Sequence, residues 1–122
     1  MSPVILHMYG ITNCSTVKKA REWLTQQDAP YAFYDFKKNC VSSEQLTAWA
    51  HTVGWETLLN RRGTTWRQLT ETRKARVVDT DSAVVLMQES PSVIKRPVLL
   101  FNDSVVYVGF DSAAWNTLLE NL

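Results

Sequence analysis

The opening third of the chain alternates strand, helix and strand, and that order constrains the fold more than any other feature. Val4-Ile5-Leu6-His7-Met8-Tyr9 is an apolar run of strand length, broken by Gly10-Ile11-Thr12-Asn13. The next residues repeat with helical period over about 15–27. Val17, Ala20 and Leu24 fall on one face, and Lys18, Lys19, Arg21 and Glu22 on the other. Pro30 breaks that pattern, and Tyr31-Ala32-Phe33-Tyr34-Asp35-Phe36 follows with the composition and alternation of a half-buried strand. Two such strands joined by a helix pair parallel, and the connection crosses over right-handed.

Farther along, Ser42 with Gln45 offers a capping box to a helix through about His51, which Gly54 ends. Trp55–Leu59 reads as a short helical piece, and the chain turns polar and basic from Arg61 to Arg67. Helical patterns return over about 71–77 and 81–89. Pro91 and Pro97 then flank Val98-Leu99-Leu100-Phe101, an apolar strand that Asn102-Asp103 turns into Val105–Val108 as a hairpin. Asp111 caps a last helix with Trp115, Leu118, Leu119 and Leu122 inward.

The order is therefore β-α-β, a helical insert at about 39–93, then β-β-α. This is the thioredoxin-like arrangement, an α/β fold with a four-stranded mixed sheet, and it is expected to form one domain over 1–122. A length of 122 residues with 45% hydrophobic content can bury a core of that size. Thioredoxin-like proteins keep a cis proline beside the cysteine at this point, so Pro97 is either that cis proline or an ordinary trans proline at a strand start. An X–Pro bond lowers the cost of cis to about 0.5–1 kcal/mol.

Cys14 lies at the mouth of the first strand–turn–helix, in the first turn of the helix. Unpaired N–H groups and the helix dipole favour a thiolate there, and Lys18 and Lys19 add positive charge one turn on. A half-buried cysteine packing like a small apolar residue is the plainer alternative. The position at a strand–helix junction favours the reactive reading. Cys40, in the polar loop Lys37-Lys38-Asn39-Cys40, reads as an incidental surface cysteine. A Cys14–Cys40 bridge is arithmetically possible, but disulfide-stapled secreted domains carry more cysteines. Two cysteines and two histidines, His7 and His51, match no metal-ligand spacing, and His7 reads as a packed strand residue.

A net charge of +1 makes no case for nucleic acid or an acidic membrane surface. Met1-Ser2-Pro3 runs straight into a strand, unlike a signal peptide, and no apolar run nears the roughly 20 residues that span a bilayer. A reducing cytoplasm is the expected compartment. The basic stretch sets Arg61, Arg62, Arg67, Arg73, Lys74 and Arg76 against Glu71 alone. It is either a solvated helical face or, at Arg61 and Arg62, an anion site, with Arg73–Arg76 left outside. Trp66 is expected to pack beneath it, while Trp23, Trp49, Trp55 and Trp115 read as core or boundary residues.

Three segments occur in order over essentially the whole length. They are Tyr9-Gly10-Ile11-Thr12-Asn13-Cys14 with Lys18-Lys19-Ala20, then Gly54-Trp55-Glu56-Thr57-Leu58-Leu59-Asn60 running into Arg61-Arg62-Gly63-Thr64-Thr65-Trp66-Arg67, and lastly Ile94-Lys95-Arg96-Pro97. In these the chain resembles the arsenate-reductase-related (ArsC/Spx) family within the thioredoxin-like fold, closest to its YffB-type members. The resemblance implies a cis Pro97 and a helical insert carrying the basic loop. Arsenate reductases of this family follow the cysteine with Gly-Thr-Ser-Arg, where this chain has Ser15-Thr16-Val17-Lys18. They also bring three arginines to the oxyanion. Arg96 matches one; the second falls on Asn60, beside Arg61 and Arg62, and the third falls near Gly109. Spx-type regulators carry a C-x-x-C switch whose fourth position is Val17 here.

With no thiol at Val17, an adduct on Cys14 needs an outside thiol, and glutathione is the cytoplasmic candidate. The expected function is therefore a monothiol reductase with Cys14 as nucleophile, glutathione as co-substrate and no tightly bound cofactor. Arg61, Arg62 and Arg96 would clamp carboxylates in guanidinium forks. The backbone before Pro97 would pair with the substrate's cysteinyl backbone, with Asn13 and Lys18 beside the thiol. Asp111, in Gly109-Phe110-Asp111, would meet the γ-glutamyl end, unless it serves as a helix cap. The alternatives are arsenate reduction with an external reductant, and an Spx-like module that contacts RNA polymerase.

Overall fold

The structure, a computed structural model, describes residues 6–121. Val4 and Ile5 of the expected first strand, and Leu122 of the last helix, lie outside the described residues. The elements are β1 (Leu6–Gly10), α1 (Ser15–Gln26), β2 (Tyr31–Asp35), α2 (Ser43–Val53), α3 (Trp55–Leu58), α4 (Thr64–Arg67), α5 (Glu71–Ala75), α6 (Thr80–Glu89), β3 (Val98–Phe101), β4 (Ser104–Val108) and α7 (Ser112–Glu120). They fall into two compact units. One runs to Asn39 and resumes at Arg96; the other is Cys40–Lys95.

The first unit holds a mixed sheet in the order β2-β1-β3-β4. β1 and β2 are parallel, with Leu6 opposite Tyr31 and Gly10 opposite Asp35, while β3 runs antiparallel to both β1 and β4. This is the thioredoxin-like α/β sheet. The helical stripe read from the sequence forms its core: Val17, Ala20 and Leu24 are fully buried with Leu6, Met8, Leu99 and Trp115. In the hairpin, Asn102 takes the left-handed conformation at φ 55, which asparagine tolerates. Leu99 faces Tyr107 but Leu100 faces Val105, so Val106 is an extra residue in β4.

β2 lacks the expected alternation, because Tyr31 to Tyr34 are all half-buried. It is an edge strand whose two faces both carry contacts. On one, the Arg21 guanidinium lies 4.1 Å from the Phe33 ring centre and donates from Nε to the Tyr31 hydroxyl at 3.1 Å. On the other, Tyr34 stacks on Tyr9 at 4.6 Å and its hydroxyl lies 3.1 Å from Nδ1 of the half-buried His7.

Gly10 sets how closely β1 and α1 approach. A Cβ there would stand 2.8 Å from Cγ2 and 3.2 Å from Cγ1 of Val17. Val17 is fully buried and stiff at χ1, so it cannot turn away cheaply. Gly10→Ala is expected to cost about 1–3 kcal/mol by overpacking. In urea unfolding, that loss shrinks when Val17 is already alanine, and strictly additive losses would contradict the contact.

In the second unit, Ser42 caps α2 by accepting from the Gln45 N–H at 3.1 Å. The helix runs to Val53, two residues past the expected end, and stops at Gly54, whose φ of 89° favours glycine. α6 begins with a capping box between Asp79 and Ser82, and within the basic stretch Thr64–Arg67 is itself helical. α5 ends at Ala75, two residues short of the expected boundary. Leu46, Trp49 and Ala50 of α2 are buried, as are Leu58 and the Ala83, Val84, Leu86 and Met87 face of α6; α2 packs on both α3 and α6. No helix among the described residues is long and apolar enough to cross a membrane.

Candidate active site

β1 ends at Gly10, and the chain turns through buried Ile11 and exposed Thr12 and Asn13 before Cys14 starts α1. Cys14 is the N-cap residue, extended at φ −108 and ψ 125, and its carbonyl accepts from the Lys18 N–H at 3.0 Å. Its side chain makes no cap hydrogen bond at the start of α1. Burial pushes its pKa up, but the Val17 N–H, the Arg96 side chain and the Thr16 N–H outweigh that and hold the thiol below its ordinary value. The positive charge acting on the sulfur is therefore Arg96, rather than the expected Lys18 and Lys19, whose side chains lie exposed along α1.

Arg96 reaches the sulfur from the turn into β3. The Arg96–Pro97 bond is cis, as the family resemblance implies. The Pro97 carbonyl accepts from the Gly109 N–H at 2.7 Å, which ties this turn to the end of β4. Gly109 has φ 94, a conformation that a side chain there would strain. Two residues on, Asp111 accepts from the Ala114 N–H at 3.0 Å and caps α7. The fold thus brings together Cys14, the Thr16 and Val17 amides, Arg96 and Pro97, with Asn13 and Lys18 exposed on the same loop and helix end.

Arg61 and Arg62 belong to the second unit. There Leu59 pairs with Ile94 in a single β-bridge, flanked by Asn60 N–H to Val93 O at 2.7 Å and Lys95 N–H to Leu58 O at 2.8 Å. Asn60 Oδ1 accepts from the Arg62 N–H at 3.1 Å, closing a tight turn. The Arg61 guanidinium sits 5.2 Å from the Trp55 ring centre and 5.9 Å from that of Trp66, near Glu56 at 3.9 Å. Glu56, Thr57, Leu59, Asn60, Arg61, Arg62 and Lys95 line a cleft of about 510 Å³. Arg73 and Lys74 are engaged elsewhere, with Glu89 at 2.9 Å and Glu71 at 3.3 Å.

Cys14 and Cys40 are both free thiols, the second exposed. No cluster of His, Cys, Asp or Glu among the described residues is arranged to hold a metal. Sequence reasoning passed over Lys95, which lies inside a quoted motif. It also gave no role to Asp35, the one buried charged residue among those described. The available signal was an acid within an aromatic strand.

A family model matches residues 9–118, nearly the whole chain. The protein belongs to the ArsC family. A solved YffB protein is 43% identical with a TM-score of 0.86, covering 92% of this chain and 96% of its own. A solution structure of an arsenate reductase (ArsC) related protein from Brucella melitensis is 42% identical at TM-score 0.77, covering 98% of each chain. More distantly, the global transcriptional regulator Spx of Listeria innocua is 23% identical over 111 residues, 85% of this chain and 79% of that one. Within this ArsC-family chain, the thiol and the arginine before the cis proline lie in the first unit, and the remaining candidate arginines in the second.

Proposed function

We propose that this ArsC-family protein is a glutathione-dependent monothiol reductase. The carrying observation is a single thiol favoured as thiolate by two helix-start amides and Arg96, with fully buried Val17 where a resolving cysteine would stand. The Cys14 thiolate attacks a sulfur of an oxidised substrate, such as a mixed disulfide with glutathione. The S–S bond breaks, the substrate leaves as a thiolate and takes a proton, and glutathione remains on Cys14. A second glutathione thiolate attacks that adduct, releasing glutathione disulfide and restoring the Cys14 thiolate. The backbone at Arg96 pairs with the cysteinyl backbone of the substrate, beside Asn13 and Lys18. Arg61 and Arg62 offer carboxylate contacts through the charge of their own cleft, and Asp111 is engaged as the cap of α7.

The test is mass analysis after exposure of a Cys40→Ser protein to glutathione disulfide. One glutathione on Cys14, released by reduced glutathione, is the expected result. A Cys14 that stays unmodified would contradict the proposal.

Two relatives motivate other readings. The Brucella protein is described as arsenate reductase related. Arsenate reduction here would need oxyanion affinity, and a wild-type protein that neither binds nor reduces arsenate would rule it out. The Spx relative is named a transcriptional regulator. As a binding module, this protein would capture RNA polymerase subunits whether or not Cys14 is present.

A further inference from the structure

We infer that Asp35 and Thr12 are positioning residues for Cys14, holding the loop that presents the thiol to the start of α1. The inference rests on the reading of Cys14 as the reactive group. Asp35 is the last residue of β2, directly opposite Gly10, the last residue of β1. Its side chain is buried, and a buried carboxylate is costly unless hydrogen bonds satisfy it. Oδ1 accepts from the Lys37 N–H at 2.8 Å and Oδ2 from the Thr12 hydroxyl at 3.4 Å. The Asp35 carbonyl also accepts from the Lys38 and Asn39 N–H groups, at 3.0 and 2.8 Å, so the acid is anchored by a turn of its own.

Three ties therefore hold the loop between Gly10 and Cys14. The Gly10 carbonyl accepts from the Phe36 N–H at 2.8 Å, the Ile11 side chain is buried, and the Thr12 hydroxyl bonds to Asp35. Only the last lies within two residues of Cys14. The thiolate depends on alignment: the Cys14 carbonyl ties it to α1 through the Lys18 N–H at 3.0 Å, and the preceding loop sets how its side chain meets the Thr16 and Val17 amides. The groups acting on the sulfur are Val17, Thr16 and Arg96, so Asp35 acts through Thr12 rather than by its own charge. Lys18 and Lys19 on the same helix are exposed and do not enter.

The test is the pH profile of Cys14 alkylation, in a Cys40→Ser background. Thr12 is exposed, so its variants are expected to fold, which circular dichroism and urea unfolding check directly. Thr12→Val removes the hydroxyl without changing charge. It should raise the midpoint of the profile and slow alkylation at neutral pH about threefold, in proportion to the lost thiolate fraction. Thr12→Ser keeps the hydroxyl and should restore the parent profile. A Thr12→Val profile that overlays the parent, or a Thr12→Ser profile that matches Thr12→Val, would overturn the inference. Alkylation needs no glutathione. A parent protein that takes up no glutathione would defeat the reductase reading while leaving this result standing.

Discussion

Cys14→Ser is expected to abolish glutathione-dependent reduction, while Cys40→Ser leaves the rate unchanged. A serine hydroxyl at the helix start would meet the same amides and Arg96 but stay protonated, and it cannot form the mixed disulfide that the cycle requires. Loss of a nucleophile costs roughly 10³-fold or more in rate, so Cys14→Ser should fall to background. Cys40 is exposed in the polar loop and has no place in the proposed cycle. Turnover of glutathione-linked substrate by the two single variants, assayed side by side, separates these roles. Appreciable activity in Cys14→Ser would remove the nucleophile from the account.

The second large effect concerns stability. Trp115→Ala is expected to lose about 3–5 kcal/mol, a large share of the 5–15 kcal/mol typical of a small protein. Trp115 is fully buried in the first unit's core, with the edges of Trp23 and Phe110 packed against it at centroid distances of 6.2 and 4.9 Å. Its Nε1 is buried and has no hydrogen-bond partner among the described residues. Trp115→Phe removes that unsatisfied N–H while keeping a ring, so it should lose distinctly less. Urea midpoints for both variants measure this. Equal losses would mean that ring volume contributes little to the core.

The elements most legible in the sequence are those whose spacing is set by one buried face. Val17, Ala20 and Leu24 define α1 without reference to anything distant, and Pro97 with the Asn102-Asp103 turn brackets β3. β2 misleads because Arg21 and Phe33 occupy one face and Tyr9 and Tyr34 the other, which erases the alternation of a half-buried strand. The extra residue at Val106 depends on pairing across the hairpin, and no local composition announces it. In the site, Cys14 and Arg96 are legible as motif members, but the source of positive charge on the thiol is not. Lys18 and Lys19 are near in sequence yet lie along the exposed side of α1, whereas Arg96 arrives from the other end of the chain through the sheet. Asp35 acquires a role only once the register of β2 with β1 places it opposite Gly10.

The most direct test of the central claim, a Cys14 thiolate stabilised by α1 and Arg96, is alkylation rate against pH for Cys40→Ser and for Cys40→Ser combined with Arg96→Met. Only the thiolate reacts, so the rate rises with pH through the thiol's pKa. The expected result is a midpoint below the free-thiol value of about 8.5 in the parent, and a shift upward when the guanidinium is replaced by an uncharged side chain. A parent midpoint at or above the free-thiol value, unmoved by Arg96→Met, would contradict it.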